Sequence, residues 1–181
     1  IVPGEPIQCT DDPSHQVVLP GSCTGLAYMD GNLIAFTADA IYLISGDGPN
    51  DQGAGSFPPP RALTRSFGCC EARSIVETNI GVMFQGNLGI YLIPRGCGPV
   101  QYVGKAVQEL MAPSGGMARV VLGAIAHQTR DNHVARFLVA EPGGSSSTTV
   151  LTVDLDNGQW FQDVFPFACS ELGSIDSLLT T

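Results

Sequence analysis

The chain has 181 residues, of which 44% are hydrophobic, and a formal net charge of -9 from 17 acidic and 8 basic residues. Its length and hydrophobicity predict a folded domain with a core and exclude a disordered chain. The acidic balance excludes a general basic face for nucleic acid, because carboxylates repel phosphates. No apolar run approaches the roughly 18 residues of a membrane span, so we expect no membrane anchor. The opening "IVPGEPIQCT" has no signal core and no Met, which indicates a processed product or a piece of a longer polypeptide.

The six cysteines are even in number, yet no C-x-x-C pair indicates a zinc site. We expect buried thiols, with a disulfide between Cys9 and Cys23 as an alternative. The cysteines are Cys9, Cys23, Cys69, Cys70, Cys97 and Cys169.

Residues 1–25 are predicted to form a lead-in segment, and a first strand-rich unit follows at 26–58. Its apolar runs "GLAYMD", "NLIAFT" and "AIYLIS" are short and bounded by turn residues, which predicts a meander of three strands. The first turn, Asp30-Gly31, suits a two-residue hairpin because both positions tolerate positive φ.

The first unit ends in "SGDGPNDQGAGSF", a loop rich in glycine and aspartate. It fails as a phosphate loop because Ala54 stands where the motif requires lysine. It also fits a calcium loop poorly, because Pro49 occupies the second ligand position. We interpret it as a shaped connector between blades or between subunits, built by turn-forming residues. The connector residues are Asp47, Gly48, Pro49, Asn50, Asp51 and Gly53.

A second unit, at 59–113, repeats the plan with "RSIVET", "IGVMFQ", "GIYLIP" and "VQYVG". Phe84 follows Phe36 by 48 residues and Tyr91 follows Tyr42 by 49, so we align these pairs with one inserted residue. Such an offset is close to the roughly 40 to 50 residues of a four-stranded propeller blade. The unit ends in the one predicted helix, "GKAVQELMA", which Pro113 stops. Its predicted apolar face contains Ala106, Val107, Leu110 and Met111.

The third unit, at 114–168, contains "VVLGAIAH", "HVARFLVA", "TTVLTVDL" and "QWFQDV", and a tail follows at 169–181. "EPGGSSSTT" between its second and third strands is predicted to be an exposed tip. The chain is therefore predicted to be all-β, a propeller-like array of about three four-stranded antiparallel blades with one short helix. Because three blades are too few to close a propeller, we expect further blades from a longer polypeptide or from neighbouring subunits.

The candidate chemical motifs favour structural interpretations, so we predict no enzyme, cofactor or metal. "GSCTG" resembles a nucleophile elbow around Cys23, but a strand follows it where the elbow requires a helix. His127 and His133 could face each other across a hairpin, although two imidazoles are an incomplete metal site. The vicinal Cys69 and Cys70 are interpreted as packed thiols, and Trp160 as a core or interface residue.

The ordered words of residues 19 to 165 resemble the propeller region of tail nozzle proteins, or tail tubular protein B, of short-tailed bacteriophages. The resemblance rests on G-D-G-P-N-D-x-G, G-V-x-F-Q with G-I-Y-L, Y-V-G-x-x-V and the late G-Q-W, in that order. It implies a structural virion protein located in the tail, where six copies form a ring for genome ejection. The implied partners are other copies, the tail adaptor and tail fibre proteins, and DNA that passes without specific binding.

Two alternatives stay open. A ligand-binding or catalytic propeller would place its site at the channel mouth, where Asp39, Asp47, Glu77 and Arg95 are available but are not paired by spacing. A host-recognition module would instead use exposed tips such as 145–149.

Overall fold

The computed structural model describes residues 17–46, 48–50, 54–112, 119–128, 132–140 and 147–169. Its described strands form three four-stranded antiparallel sheets, each a simple meander in chain order. The described residues are all-β with one short α-helix, as the alternation of apolar runs and turns predicts.

The first sheet contains β1 (Gly25–Met29), β2 (Asn32–Phe36), β3 (Ile41–Ile44) and β4 (Arg61–Thr64). Asp30 and Gly31 join β1 to β2 with φ values of 52° and 77°, as the two-residue hairpin requires. The sequence predicted three strands in this unit, but the sheet has four. The fourth strand, β4, pairs with β3 and lies beyond the predicted boundary at residue 58. This strand, "RALT", is short and only partly buried, so it carries little hydrophobic signal.

The second sheet contains β5 (Val76–Thr78), β6 (Gly81–Gly86), β7 (Gly89–Pro94) and β8 (Gln101–Tyr102). The chain continues into a 3-10 turn, Gly104–Val107, and the helix α1, Gln108–Met111. Val107 and Met111 are buried as predicted, whereas Ala106 is exposed. The 3-10 turn explains this difference, because its tighter winding changes which residues share a face.

The third sheet contains β9 (Val121–Gln128), β10 (His133–Val139), β11 (Thr148–Asp154) and β12 (Trp160–Phe165). These strands follow the four predicted runs closely. The predicted tip between β10 and β11 lies largely outside the described residues.

The second sheet lies between the other two and buries both of its faces. Phe84 of β6 belongs to the cluster shared with the first sheet, whereas its neighbour Met83 belongs to the cluster shared with the third. This alternation follows from the strand period of two, which sends successive side chains to opposite faces. The sequence of β6 is apolar at consecutive positions because one face of the strand packs against the first sheet and the other face against the third.

The strand register corrects the predicted alignment of Phe36 with Phe84. Phe84 pairs with Tyr91 on β7, and the corresponding partner of Tyr42 is Ala35. Both pairs are then 49 residues apart, and no inserted residue is required. Phe84 is thus equivalent to Ala35. Phe36 lies one position further along β2, so its side chain points to the face of its sheet opposite to the face that Phe84 occupies on the second sheet.

The first strand of each sheet lies against that of the next sheet, β1 against β5 and β5 against β9. A polar link joins the second sheet to the third, since Gln85 Nε2 donates to Arg119 O at 2.6 Å and the Val121 N–H donates to Gln85 Oε1 at 2.8 Å. This arrangement agrees with the predicted array of blades, and the described strands do not close into a ring.

Candidate functional site

The predicted connector joins β3 to β4, which are neighbours in the first sheet. The prediction that it carries the chain from one blade to the next is therefore wrong, because both ends of the loop belong to the same sheet. Gly48, Pro49 and Asn50 are described, while Asp47, Asp51 and Gly53 lie outside the described residues.

The described part of the connector is a closed turn held by its own backbone and side chains. The Asn50 N–H donates to Ala54 O at 2.9 Å, and the Ala54 N–H donates to Asn50 Oδ1 at 2.9 Å. Gly48 has φ 70°, and the ring of Phe57 fills the space that a Cβ would need. The Asn50 amide oxygen therefore shapes the loop, as expected for a turn-forming asparagine.

The "GSCTG" segment is a turn that leads into β1, so it lacks the strand-to-helix geometry of a nucleophile elbow. Cys23 is exposed, and its Sγ donates to Gly25 O at 3.3 Å. It is a free thiol in the structure, while Cys9 lies outside the described residues. The alternative of a disulfide between them is therefore not supported.

The adjacent cysteines are free thiols in different environments. Cys69 is buried, as expected, whereas Cys70 is exposed. Burial raises the pKa of the Cys69 thiol, even though a hydrogen bond with Ser74 opposes the shift. Because the nucleophile is the thiolate, the protonated Cys69 is suited to packing rather than to attack.

His127 and His133 do not face each other as the sequence allowed. His127 pairs with Val134 and His133 pairs with Gln128, so the two histidines point to opposite faces of the β9–β10 hairpin. His133 instead contacts Asp156, with 3.0 Å between Nδ1 and Oδ1. The His133 backbone N–H, and then its ring, lower the pKa of the Asp156 carboxyl.

Two of the charged residues proposed for a channel-mouth site, Glu77 and Arg95, form links between the first two sheets. Arg95 Nη1 lies 2.7 Å from Asp30 Oδ1, and the Gly96 N–H donates to Asp30 Oδ2 at 2.8 Å. The Gly96 hydrogen bond, followed by that of Arg95, lowers the pKa of the Asp30 carboxyl. Glu77 Oε1 accepts the Tyr28 N–H at 3.0 Å. The sequence identified Glu77 and Arg95 but not their partners, which are separated from them by about 50 and 65 residues.

A polar cavity of about 380 Å³ opens at the strand ends between the second and third sheets. Glu77, Arg95 and His127 are among its lining residues, whereas Asp39 lines a different cavity. The four charged residues of the predicted channel-mouth site are therefore not brought together in the part that is described.

Large apolar side chains are exposed at the two ends of the array. On the first sheet Leu26 is 57% exposed and Tyr28 is 61% exposed, and on the third sheet Phe161 is 52% exposed. Trp160 is partly buried against the core between the second and third sheets and stacks on Phe137 at 6.2 Å between ring centroids, which agrees with its interpretation as a core or interface residue. Exposed apolar side chains of this size are candidates for contact with another surface.

No protein-family model matches the chain, and no curated protein matches its sequence. Within the described ranges, no group of three His, Cys, Asp or Glu side chains could hold a metal ion. The one described α-helix is far too short to cross a membrane.

Proposed function

We propose that this chain is a structural virion protein, a component of the tail nozzle of a short-tailed bacteriophage. In this proposal six copies form a ring next to the tail adaptor and tail fibre proteins, and the genome leaves through the ring. The proposal rests on the ordered sequence motifs between residues 19 and 165, which resemble those of tail nozzle proteins.

The contacts that the charged side chains make support a structural role. Asp30, Arg95 and Glu77 hold the first sheet to the second. In a catalytic site, such groups would converge on a substrate instead of on each other. Two of the residues proposed for a channel-mouth enzyme, Glu77 and Arg95, thus take part in joining the first two sheets.

The negative charge supports passage of DNA without adhesion. Most nonspecific DNA binding is driven by basic side chains that neutralise phosphates and release counterions. A net charge of -9 over 181 residues opposes such binding. We expect the chain to show no retardation of double-stranded DNA in gels at physiological salt. Tight binding would contradict a role as a conduit.

Electron cryomicroscopy of virions that contain this chain tests the proposal directly. The expected result is a sixfold ring at the distal end of the tail, with density that accommodates three stacked four-stranded sheets in each subunit. Labelling with an antibody against the chain should mark the same end. Virions that lack the chain, or density for it only at the capsid, would refute the proposal.

A second candidate is a ligand-binding propeller, which the cavity between the second and third sheets favours. A small polar molecule bound there should raise the unfolding temperature, and His127→Ala should abolish that shift. His15→Ala is a matched control in the predicted lead-in segment. A saturable shift that depends on His127 would favour this candidate over the nozzle.

A further inference from the structure

The cavity that Asp39 lines has a volume of about 500 Å³ and opens beside the β2–β3 turn of the first sheet. Part of its wall is this turn, residues 37–40, and another part is residues 20–22, which precede β1. Tyr42 of β3 and Arg65, which follows β4, also line it. Its volume lies within the roughly 300 to 1,000 Å³ of cavities that hold small molecules.

The side chain of Tyr42 is only 5% exposed, yet its hydroxyl has no hydrogen-bond partner among the described residues. A buried tyrosine hydroxyl ordinarily has one. The hydroxyl is not among the polar atoms that are both fully enclosed and unpartnered, so it reaches open space. Because Tyr42 lines the cavity, we identify that space with the cavity. The cavity therefore offers a polar group to a bound molecule.

The repeat shows which internal partner this tyrosine lacks. Tyr91 is equivalent to Tyr42 at a shift of 49 residues, and its hydroxyl donates to Asn87 Oδ1 at 2.8 Å. The same shift relates Asn87 to Ala38, whose side chain cannot accept a hydrogen bond. Ala38 lines the cavity together with Tyr42. The first sheet thus keeps the tyrosine without its acceptor, and the cavity lies where the two residues meet.

Two opposite charges line the same cavity. Asp39 and Arg65 are exposed, and neither forms an ion pair or a hydrogen bond with another described residue. The register places them at the same end of the sheet, because Ile41 pairs with Thr64 and Arg65 continues beyond that pair. Since they do not pair with each other, both charges are available to a ligand.

We propose that this cavity binds a small zwitterion of the α-amino-acid type. The ligand's carboxylate binds the Arg65 guanidinium, whose planar fork of donors matches a carboxylate, and its ammonium group binds the Asp39 carboxylate. A polar group of the ligand supplies the partner of the Tyr42 hydroxyl. A simple anion is repelled by Asp39 and a simple cation by Arg65, so a ligand with both charges is favoured. The inference rests on this cavity and not on the proposed role in the virion.

Nuclear magnetic resonance of the full chain, titrated with each of the common L-amino acids in turn, tests the proposal. At least one should shift the amide signals of Ala38 and Asp39 saturably, with a dissociation constant of about 1 mM or less. The N-acetyl derivative and the amide of that amino acid each lack one charge and should bind about 10-fold or more weakly. No saturable shift, equal binding of either derivative, or binding of glucose instead would overturn the proposal.

Two variants with matched controls test the assigned groups. Tyr42→Phe keeps the buried ring and should weaken binding about 2- to 10-fold, whereas Tyr28→Phe, on the same sheet outside the cavity, should not. Arg65→Gln should weaken binding about 10-fold or more, and Arg61→Gln on β4 is its control. Circular dichroism should show unchanged strand content in all four variants. Binding that tolerates Tyr42→Phe or Arg65→Gln would refute the assignment.

Discussion

Phe36 and Phe84 face each other across the interface of the first two sheets, with ring centroids 5.1 Å apart and planes inclined by 56°. The two residues occur in similar sequence motifs. Phe36 points from the first sheet towards the second, whereas Phe84 points from the second sheet towards the first. Their tilted contact is a favourable arrangement for two aromatic rings. The pair therefore joins two repeated units at positions that the repeat does not relate.

Removal of one ring from this pair should destabilise the whole array. Phe84→Ala should lower the free energy of unfolding by about 3–5 kcal/mol, because Phe84 is fully buried. Urea denaturation followed by tryptophan fluorescence measures the change. Phe161→Ala is the control, with an expected change within about 0.5 kcal/mol for an exposed site. Equal losses in the two variants would contradict the described packing.

The Asp30 carboxylate should stabilise the fold in a pH-dependent way. Its pKa is lowered in the folded chain, so its contribution is present above the unfolded pKa of about 4 and is lost as pH falls through the folded pKa. Asp30→Asn keeps a residue that tolerates positive φ but removes the charge opposite Arg95. The variant should unfold at lower urea than the wild type at pH 7, and the difference should narrow below about pH 4.

Asp163→Asn provides the comparison for this pH series, since Asp163 is exposed on β12 and no ion pair with it is observed among the described residues. We expect its urea midpoint at pH 7 to match that of the wild type, because substitutions at exposed sites change stability little. A difference between wild type and Asp30→Asn that stays constant down to pH 2 would contradict the role of the carboxylate.

The Gln85 side chain should stabilise the interface between the second and third sheets. Its amide bonds both Arg119 O and the N–H of the buried Val121, so Gln85→Ala leaves two backbone groups without this partner. We expect a loss of about 1–3 kcal/mol in urea denaturation. Gln101→Ala on β8 removes an exposed amide and should have little effect. Faster exchange of the Val121 amide hydrogen should accompany the Gln85 change alone.

The close approach at Gly68 should make this position intolerant of any side chain. An added Cβ would overlap the carbonyl oxygen of Thr37, which accepts the Cys69 N–H at 3.0 Å. Gly68→Ala should therefore destabilise the fold by about 1–3 kcal/mol through displaced backbone. Gly98→Ala, whose Cβ would only touch Pro94, is the control in thermal unfolding. Similar midpoints would exclude tight packing at Gly68.

The connector can be tested separately from the fold because it joins neighbouring antiparallel strands. Replacement of residues 47–53 by a short glycine-containing turn should change the unfolding temperature by only a few degrees. If the loop connects subunits, which is one of its two interpretations from the sequence, the variant should fail to form rings in electron micrographs. If rings form as in the wild type, the loop does no more than join β3 to β4.

The sequence by itself determined the strand content, the approximate strand limits and the number of sheets. Runs such as "GVMFQ" and "GIYLI" report burial directly, because a strand with two packed faces must be apolar at consecutive positions. Glycine at the turns added the boundaries, as at Asp30-Gly31. β4 was missed because a short, partly buried strand leaves almost no pattern.

Only the tertiary structure decided which face each residue occupies and which distant residues meet. A shift of one residue reverses the direction of a side chain, so the similar words around Phe36 and Phe84 could not reveal that the two rings oppose each other. The contact of Asp30 with Arg95 likewise spans 65 residues and has no local signature. The exposure of Leu26 and Tyr28 has no local signature either, because it depends on which parts of the fold lie opposite them.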